Sequence, residues 1–193
     1  MAQRHSKPAH GLRTVDPVWS RIREEAELIA SREPPLASFI FANVLHHETL
    51  EQAVAQRIVA RLDNPYVSGE LIRQAFDDAL EAAPEIAAAF RADIVAVADR
   101  DPATTRYIEP VLYYKGFHAL QTYRLAHFLW NRGQRDFALY LQSRASAVFA
   151  VDIPPAAKIG RGIFFDHATG VVIGQTAVIE DDVSMLHGVT LGG

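Results

Sequence analysis

From residue 151 onward the chain repeats every six residues, and that period restricts the fold more than any other feature. Cut as VDIPPA, AKIGRG, IFFDHA, TGVVIG, QTAVIE, DDVSML and HGVTLG, its third positions are Ile153, Ile159, Phe165, Val171, Ala177, Val183 and Val189, all apolar. Helical spacing is absent, and the turn-formers Gly160, Gly170, Gly174 and Gly188 fall between the apolar positions. Any strand keeps even offsets on one face, so that alone says little. One phase in six staying apolar through seven units signals a parallel β-helix, in which each unit supplies one short flat strand. The alternative is a set of ordinary short strands that share a phase. If three units close a triangular coil, residues 18 apart stack, and 151–193 supply about 2.4 coils.

Residues 16–150 follow helical rules. Asp16-Pro17 is an N-cap followed by proline at the first helical position. Thr49 with Gln52 forms a capping box, and Leu50, Val54, Ile58 and Leu62 then recur on one face. Asn64-Pro65 breaks that helix. Ser68 can cap the next, with Ile72, Phe76 and Leu80 inward, and Pro84 starts another carrying Ile86, Phe90, Ile94 and Val97. After a polar loop (99–105), two helices are predicted over 110–131 and 135–149, with Gly133 as C-cap between them. Glycine marks the boundary: four occur in residues 1–150 and seven in 151–193. The expected division is a disordered tail at 1–15, a helical oligomerisation domain at 16–150 and a repeat domain from 151.

Composition narrows the function classes. With 49% hydrophobic and 22% charged residues the balance is that of a globular protein. The net charge of −4 comes with no Lys/Arg block, which argues against nucleic acid and anionic membranes as partners. The first fifteen residues lack the apolar core of a signal peptide, no apolar run is long enough to span a bilayer, and cysteine is absent. A cytoplasmic location is the expectation.

The stretches RDPATTRY (100–107), YYKGFHALQTYR (113–124) and VDIPPAAKIGRGIFFDHATGVVIGQTAVIEDDVSMLHGVTLGG (151–193) resemble bacterial serine acetyltransferases of the hexapeptide-repeat acyltransferase superfamily. KIGRGI followed by DHATG is the specific part. The resemblance implies an α+β chain, an all-α domain followed by a left-handed parallel β-helix. It also implies acetyl transfer from acetyl-CoA, as co-substrate, to the L-serine hydroxyl. Trimers or dimers of trimers, inhibition by L-cysteine, and docking of the full-length protein to O-acetylserine sulfhydrylase are implied too. No permanently bound cofactor or metal is expected. The family continues for several coils, and an uncapped strand edge is a hazard. Ending on Leu191-Gly192-Gly193, the chain is expected to be a truncated, poorly active piece.

Site residues follow from the motif. Acetyl transfer needs a base for the hydroxyl proton and an acid for the departing thiolate, and histidine can serve as both. His167 in Asp166-His167-Ala168-Thr169-Gly170 matches the family's catalytic base, and Asp152, fifteen residues earlier and expected on an adjacent layer, its dyad partner. Asp101 and Asp166 match the serine-binding carboxylates, and Gly193 a glycine against the coenzyme A thioester. The family's second active-site histidine and its neighbouring arginine belong to a segment absent here. His187 is instead expected one coil above Thr169, as a surface or subunit-contact residue. His46-His47-Glu48 is expected as a solvated turn, and His118 and His127 in packing or hydrogen-bonding roles. Zinc-dependent β-helix anhydrases need three histidines, and the repeat region has two, His167 and His187. Two readings remain beside the serine enzyme: a hexapeptide acetyltransferase for another hydroxyl, and a non-catalytic oligomerisation module. The second draws on the charge of residues 151–193, where Lys158 and Arg161 face five acidic side chains.

Overall fold

The computed structural model describes residues 15–192, so the expected tail (apart from Val15) and Gly193 lie outside the described residues. Asp16 caps α1 (Pro17–Arg32) by accepting from the N–H groups of Val18 and Trp19 at 3.1 and 3.2 Å. Arg91 holds the same carboxylate at 2.5 Å and Glu51 at 2.6 Å, tying this cap to two later helices. A 3-10 turn (Pro34–Leu36), the short α2 (Ala37–Ile40) and a π-helical turn (Phe41–Leu45) follow.

In α3 (Leu50–Leu62) the Gln52 N–H donates to Thr49 Oγ1 at 3.3 Å. The return arm lands one residue early, with Gln52 Oε1 accepting from Glu48 N–H at 2.9 Å. Leu50, Val54, Ile58 and Leu62 are all buried. Ser68 stands at the cap of α4 (Gly69–Ala82), but its hydroxyl makes no capping bond. The tight return from α3 brings Asp63 there instead, and its carboxylate takes the Gly69 N–H at 2.6 Å. In α5 (Pro84–Arg100) Ile86, Phe90, Ile94 and Val97 are buried.

The predicted helix over 110–131 is two helices, α6 (Ile108–Leu112) and α7 (Lys115–Asn131). Tyr114 between them is extended, at φ −89° and ψ 110°. It gives up helical geometry to send its hydroxyl back to Glu109 and Thr104. α7 is buried on nearly every side, the mark of a central helix. Gly133, at φ 83°, turns the chain into α8 (Arg135–Phe149).

Seven short strands then wind in parallel: β1 (Val151–Asp152), β2 (Lys158–Ile159), β3 (Phe164–Phe165), β4 (Val171–Ile173), β5 (Val178–Ile179), β6 (Ser184–Met185) and β7 (Thr190–Leu191). Each of the first four pairs with the strand three further on, giving sheets β1-β4-β7, β2-β5 and β3-β6. The expected stacking at 18 residues holds only for β4 on β7, where Val172 pairs with Thr190. In the first turn the offset is 20: Val151 pairs with Val171, Lys158 with Val178 and Phe164 with Ser184. Two extra residues are therefore lodged in the corner between β3 and β4. Phe165 to Val172 spans seven residues where the equivalent Met185 to Thr190 spans five. Buried residues follow the true register, so Val151 lies over Val171 and Ile153 over Ile173.

One hydrophobic core runs from α1 into the coils. Polar bolts fasten α5 and α7 to the first turn. Asp93, fully buried, accepts from Arg124 at 2.7 Å, Gln121 at 2.9 Å and the Ile163 N–H at 2.9 Å. Tyr123 donates to Ala157 O at 2.6 Å, Arg124 to Gly160 O at 2.9 Å, and His127 Nδ1 bonds Pro155 O at 2.7 Å.

Candidate active site

The inserted corner is the DHATG segment. His167 and Ala168 both adopt left-handed backbone, with φ 54° and 58°. For non-glycine residues this costs about 1–2 kcal/mol each. Such strain persists only where the surroundings enforce it. Here Gly170 N–H donates to Ala150 O and Gly188 N–H to Thr169 O, both at 2.8 Å, clamping the corner to the turns before and after it. Bulged off the coil wall, the His167 side chain is 76% exposed. Its Nε2 lies 3.8 Å from Asp166 Oδ1.

The helical domain supplies the opposite wall. At Gly116 a Cβ would come within 2.4 Å of the Phe165 carbonyl oxygen, so only glycine lets the first turn of α7 lie on β3. That approach sets Lys115 against the bulge, where its ammonium donates to Thr169 Oγ1. Arg100, at the end of α5, donates to Gly162 O at 3.0 Å and pairs with Asp182 at 2.9 Å. It thereby aims the next residue, Asp101. Between these walls is a cavity of about 420 Å³ lined by Asp101, Tyr114, Lys115, Phe165, Asp166 and His167. Asp101 Oδ1 accepts from the Ala103 N–H at 2.9 Å and Oδ2 from the Thr104 hydroxyl at 2.6 Å. Burial raises the Tyr114 hydroxyl above its ordinary value, so it remains a donor.

Three of the residues singled out from sequence, Asp101, Asp166 and His167, thus share one cavity. Asp152 is elsewhere. It lies fifteen residues back on a twenty-residue turn, hence around the coil and not on an adjacent layer, and its carboxylate accepts from Gln142 at 2.7 Å. Within one chain no hydrogen bond or ion pair joins it to His167. His187 is closer to the site than expected, because the 20-residue offset sets its ring 6.1 Å from that of His167. Sequence reasoning missed Thr104, Tyr114 and Lys115. One signal was available: a lysine opening a helix is unfavourable against the helix dipole and needs another reason to be there.

A larger cavity, about 650 Å³, lies between α4 and the α7–α8 turn, bordered by Leu71, Asp78, Glu81, Phe128 and Arg132. It is lined by none of the residues singled out from sequence. Among the described residues, no group of three His, Asp or Glu is arranged to hold a metal, and no helix is long and apolar enough to cross a membrane.

Residues 18–122 match the family described as the N-terminal region of serine acetyltransferase. The chain is 53% identical to a serine acetyltransferase of Salmonella typhimurium, over 91% of this chain and 64% of that protein. It therefore spans somewhat less than two thirds of that curated relative. Among solved structures, serine acetyltransferase of Brucella abortus in complex with coenzyme A superposes with a TM-score of 0.90 at 56% identity, covering 92% of this chain and 71% of the other. A serine acetyltransferase in complex with cysteine also superposes at 0.90, with 49% identity over 91% of this chain and 73% of the other.

Proposed function

The chain belongs to the serine acetyltransferase family, and from that premise we propose that it carries one wall of a serine O-acetyltransferase site. The reaction moves acetyl from acetyl-CoA to the L-serine hydroxyl, giving O-acetylserine and coenzyme A. The observation that carries the reading is the convergence of Asp101, Asp166 and His167 on one cavity between the helices and the coils. Two carboxylates there suit a substrate ammonium, and an exposed imidazole suits a hydroxyl proton. His167 takes that proton as the serine oxygen attacks the thioester carbonyl, then returns it to the departing thiolate. Asp101 and Asp166 hold the ammonium, so the hydroxyl is presented to His167 already oriented.

Asp152 faces away from this cavity in its own chain, so its proposed task of orienting His167 requires a neighbouring protomer. That fits a homotrimer built along a left-handed parallel β-helix, with two trimers meeting through the helical domains. The same logic makes L-cysteine, an ammonium-bearing analogue of serine, an inhibitor at Asp101 and Asp166. Gly193 is proposed to lie against coenzyme A, O-acetylserine sulfhydrylase to be a partner of the complete enzyme, and the cytoplasm to be its location. Calorimetric titration with L-serine and with coenzyme A tests the reading. Binding of L-serine that Asp101→Asn abolishes is the expected result. Binding of neither ligand would leave an assembly module and sink the enzymatic reading.

A further inference from the structure

Four oxygens form an unbroken file leading from the cavity into the helical domain. They are Asp101 Oδ2, Thr104 Oγ1, Tyr114 Oη and Glu109 Oε2, with successive separations of 2.6, 2.7 and 3.0 Å. The file is anchored at both ends. Asp101 Oδ1 keeps its Ala103 N–H at 2.9 Å, and Glu109 Oε1 is held by Arg106 Nε at 2.9 Å. Thr104 is buried, so water does not readily replace its partners.

Three contacts this short each call for a hydrogen, and the two hydroxyls carry one apiece, while ionised carboxylates only accept. One contact therefore always lacks its hydrogen, and the hydroxyl rotors decide which. If both point to the cavity, Tyr114 donates to Thr104, Thr104 donates to Asp101, and Glu109 goes without. If both point away, Thr104 donates to Tyr114, Tyr114 donates to Glu109, and Asp101 Oδ2 is bare. Two arrangements remain: hydroxyls pointing apart to the two carboxylates leave their oxygens face to face at 2.7 Å without a hydrogen between them, and hydroxyls pointing at each other crowd two hydrogens into that contact.

We propose that this file is a two-position hydroxyl switch, in which Thr104 and Tyr114 are positioning residues that decide how much of the Asp101 carboxylate is offered to a cationic ligand. An ammonium group arriving at Asp101 supplies the donor that Thr104 had supplied. Both hydroxyls then turn toward Glu109, so Glu109 Oε2 takes the Tyr114 hydrogen while Asp101 Oδ2 takes its donor from the ligand. The ligand thereby lets Asp101 Oδ2 and Glu109 Oε2 each keep a donor while Thr104 and Tyr114 keep the hydrogen bond between them. The inference rests on the reading of Asp101 as an ammonium partner and adds the residues that tune it.

The switch makes a prediction that a structural role would not: two neighbouring substitutions act in opposite directions. In Tyr114→Phe, Thr104 loses its outward partner and donates permanently to Asp101, so L-serine binds about fivefold more weakly. In Thr104→Val, Asp101 Oδ2 is bare at all times, so L-serine binds as tightly as in the parent or about threefold more tightly. Thr104→Ser keeps the hydroxyl and restores parent affinity. The changes fall in the L-serine Kd by calorimetry and in KM, with kcat within about twofold, because the file does not touch His167. Weakening by both Tyr114→Phe and Thr104→Val, or parent affinity in Tyr114→Phe, overturns the switch. Asp101→Asn separates this failure from failure of the ammonium reading. If Asp101→Asn binds L-serine normally, that underlying reading is wrong. If it abolishes binding while Tyr114→Phe changes nothing, the switch alone is wrong.

Discussion

The role proposed for His167 rests on two properties: exposure to the cavity, and a strained backbone that holds it off the coil wall. Replacing it by asparagine should lower acetyl transfer by about 10²–10⁴-fold and leave assembly intact. Near-parent turnover in that variant would remove His167 as the base. His118 is its opposite. Enclosed in the core, it bonds Val111 O through Nε2 at 2.8 Å, and Nδ1 has no partner. Burial above all, with help from Arg57 and Arg61, lowers its pKa from 6.5 to about 4. The sign follows from linkage. Between those values the unfolded chain binds a proton that the folded chain refuses, so stability is full above about 6.5 and is lost as pH falls toward 4, by about 3 kcal/mol in all. Proton NMR of the ring should show no titration of His118 above pH 5, and a midpoint near 6.5 would contradict its burial.

At the scale of elements, the break between α6 and α7 matters most. A continuous helix over 110–131 would satisfy more backbone bonds. The chain instead spends two residues at Tyr113 and Tyr114 to swing Tyr114 and Lys115 onto the cavity, and Gly116 makes the close approach possible. Gly116→Ala would drive a methyl into the Phe165 carbonyl, and backbone cannot rotate out of the way as a side chain can. The expected cost is about 1–3 kcal/mol, visible as a fall of several degrees in Tm by scanning calorimetry. Loss of the Lys115–Thr169 contact should accompany it, weakening L-serine binding. An unchanged Tm would mean that α7 does not lie on β3 as closely as described.

For the whole molecule, the question is what makes helices and coils one body. Asp93 and Arg124 answer it, because both are buried and their hydrogen bonds reach Ile163 and Gly160 on the first turn. Burial pushes the Asp93 carboxyl up, while Arg124, Gln121 and the Ile163 N–H pull it back. Asp93→Ala strands a buried guanidinium, the Gln121 side-chain amide and the Ile163 N–H, so a loss of about 3–5 kcal/mol is expected by urea unfolding. Loss of less than 1 kcal/mol would show that the apolar core alone joins the two halves. Assembly is a separate matter. Light scattering should give a trimer or a multiple of one, and a monomer would leave Asp152 no partner subunit across which to reach His167.

Much of this protein was legible in the sequence because the signals were local. Helix caps at Asp16 and Thr49, the apolar faces of α3, α4 and α5, and the six-residue period each depend on neighbours within one or two turns of chain, where propensity and patterning act directly. The DHATG and RDP motifs likewise pointed to Asp101, Asp166 and His167 before any geometry was known. What tertiary structure decided depends on contacts between distant segments. Only pairing across the coils showed a first turn of 20 residues, because a two-residue insertion in one corner leaves the local period unchanged. Only packing of α7 on β3 broke the predicted helix at Tyr114, since the hydroxyl partner that compensates the break, Thr104, lies ten residues away. Asp152 was found away from His167, and His187 beside it, for the same reason. Spacing along the chain determines which residues can form an element, whereas register between elements determines which of them meet.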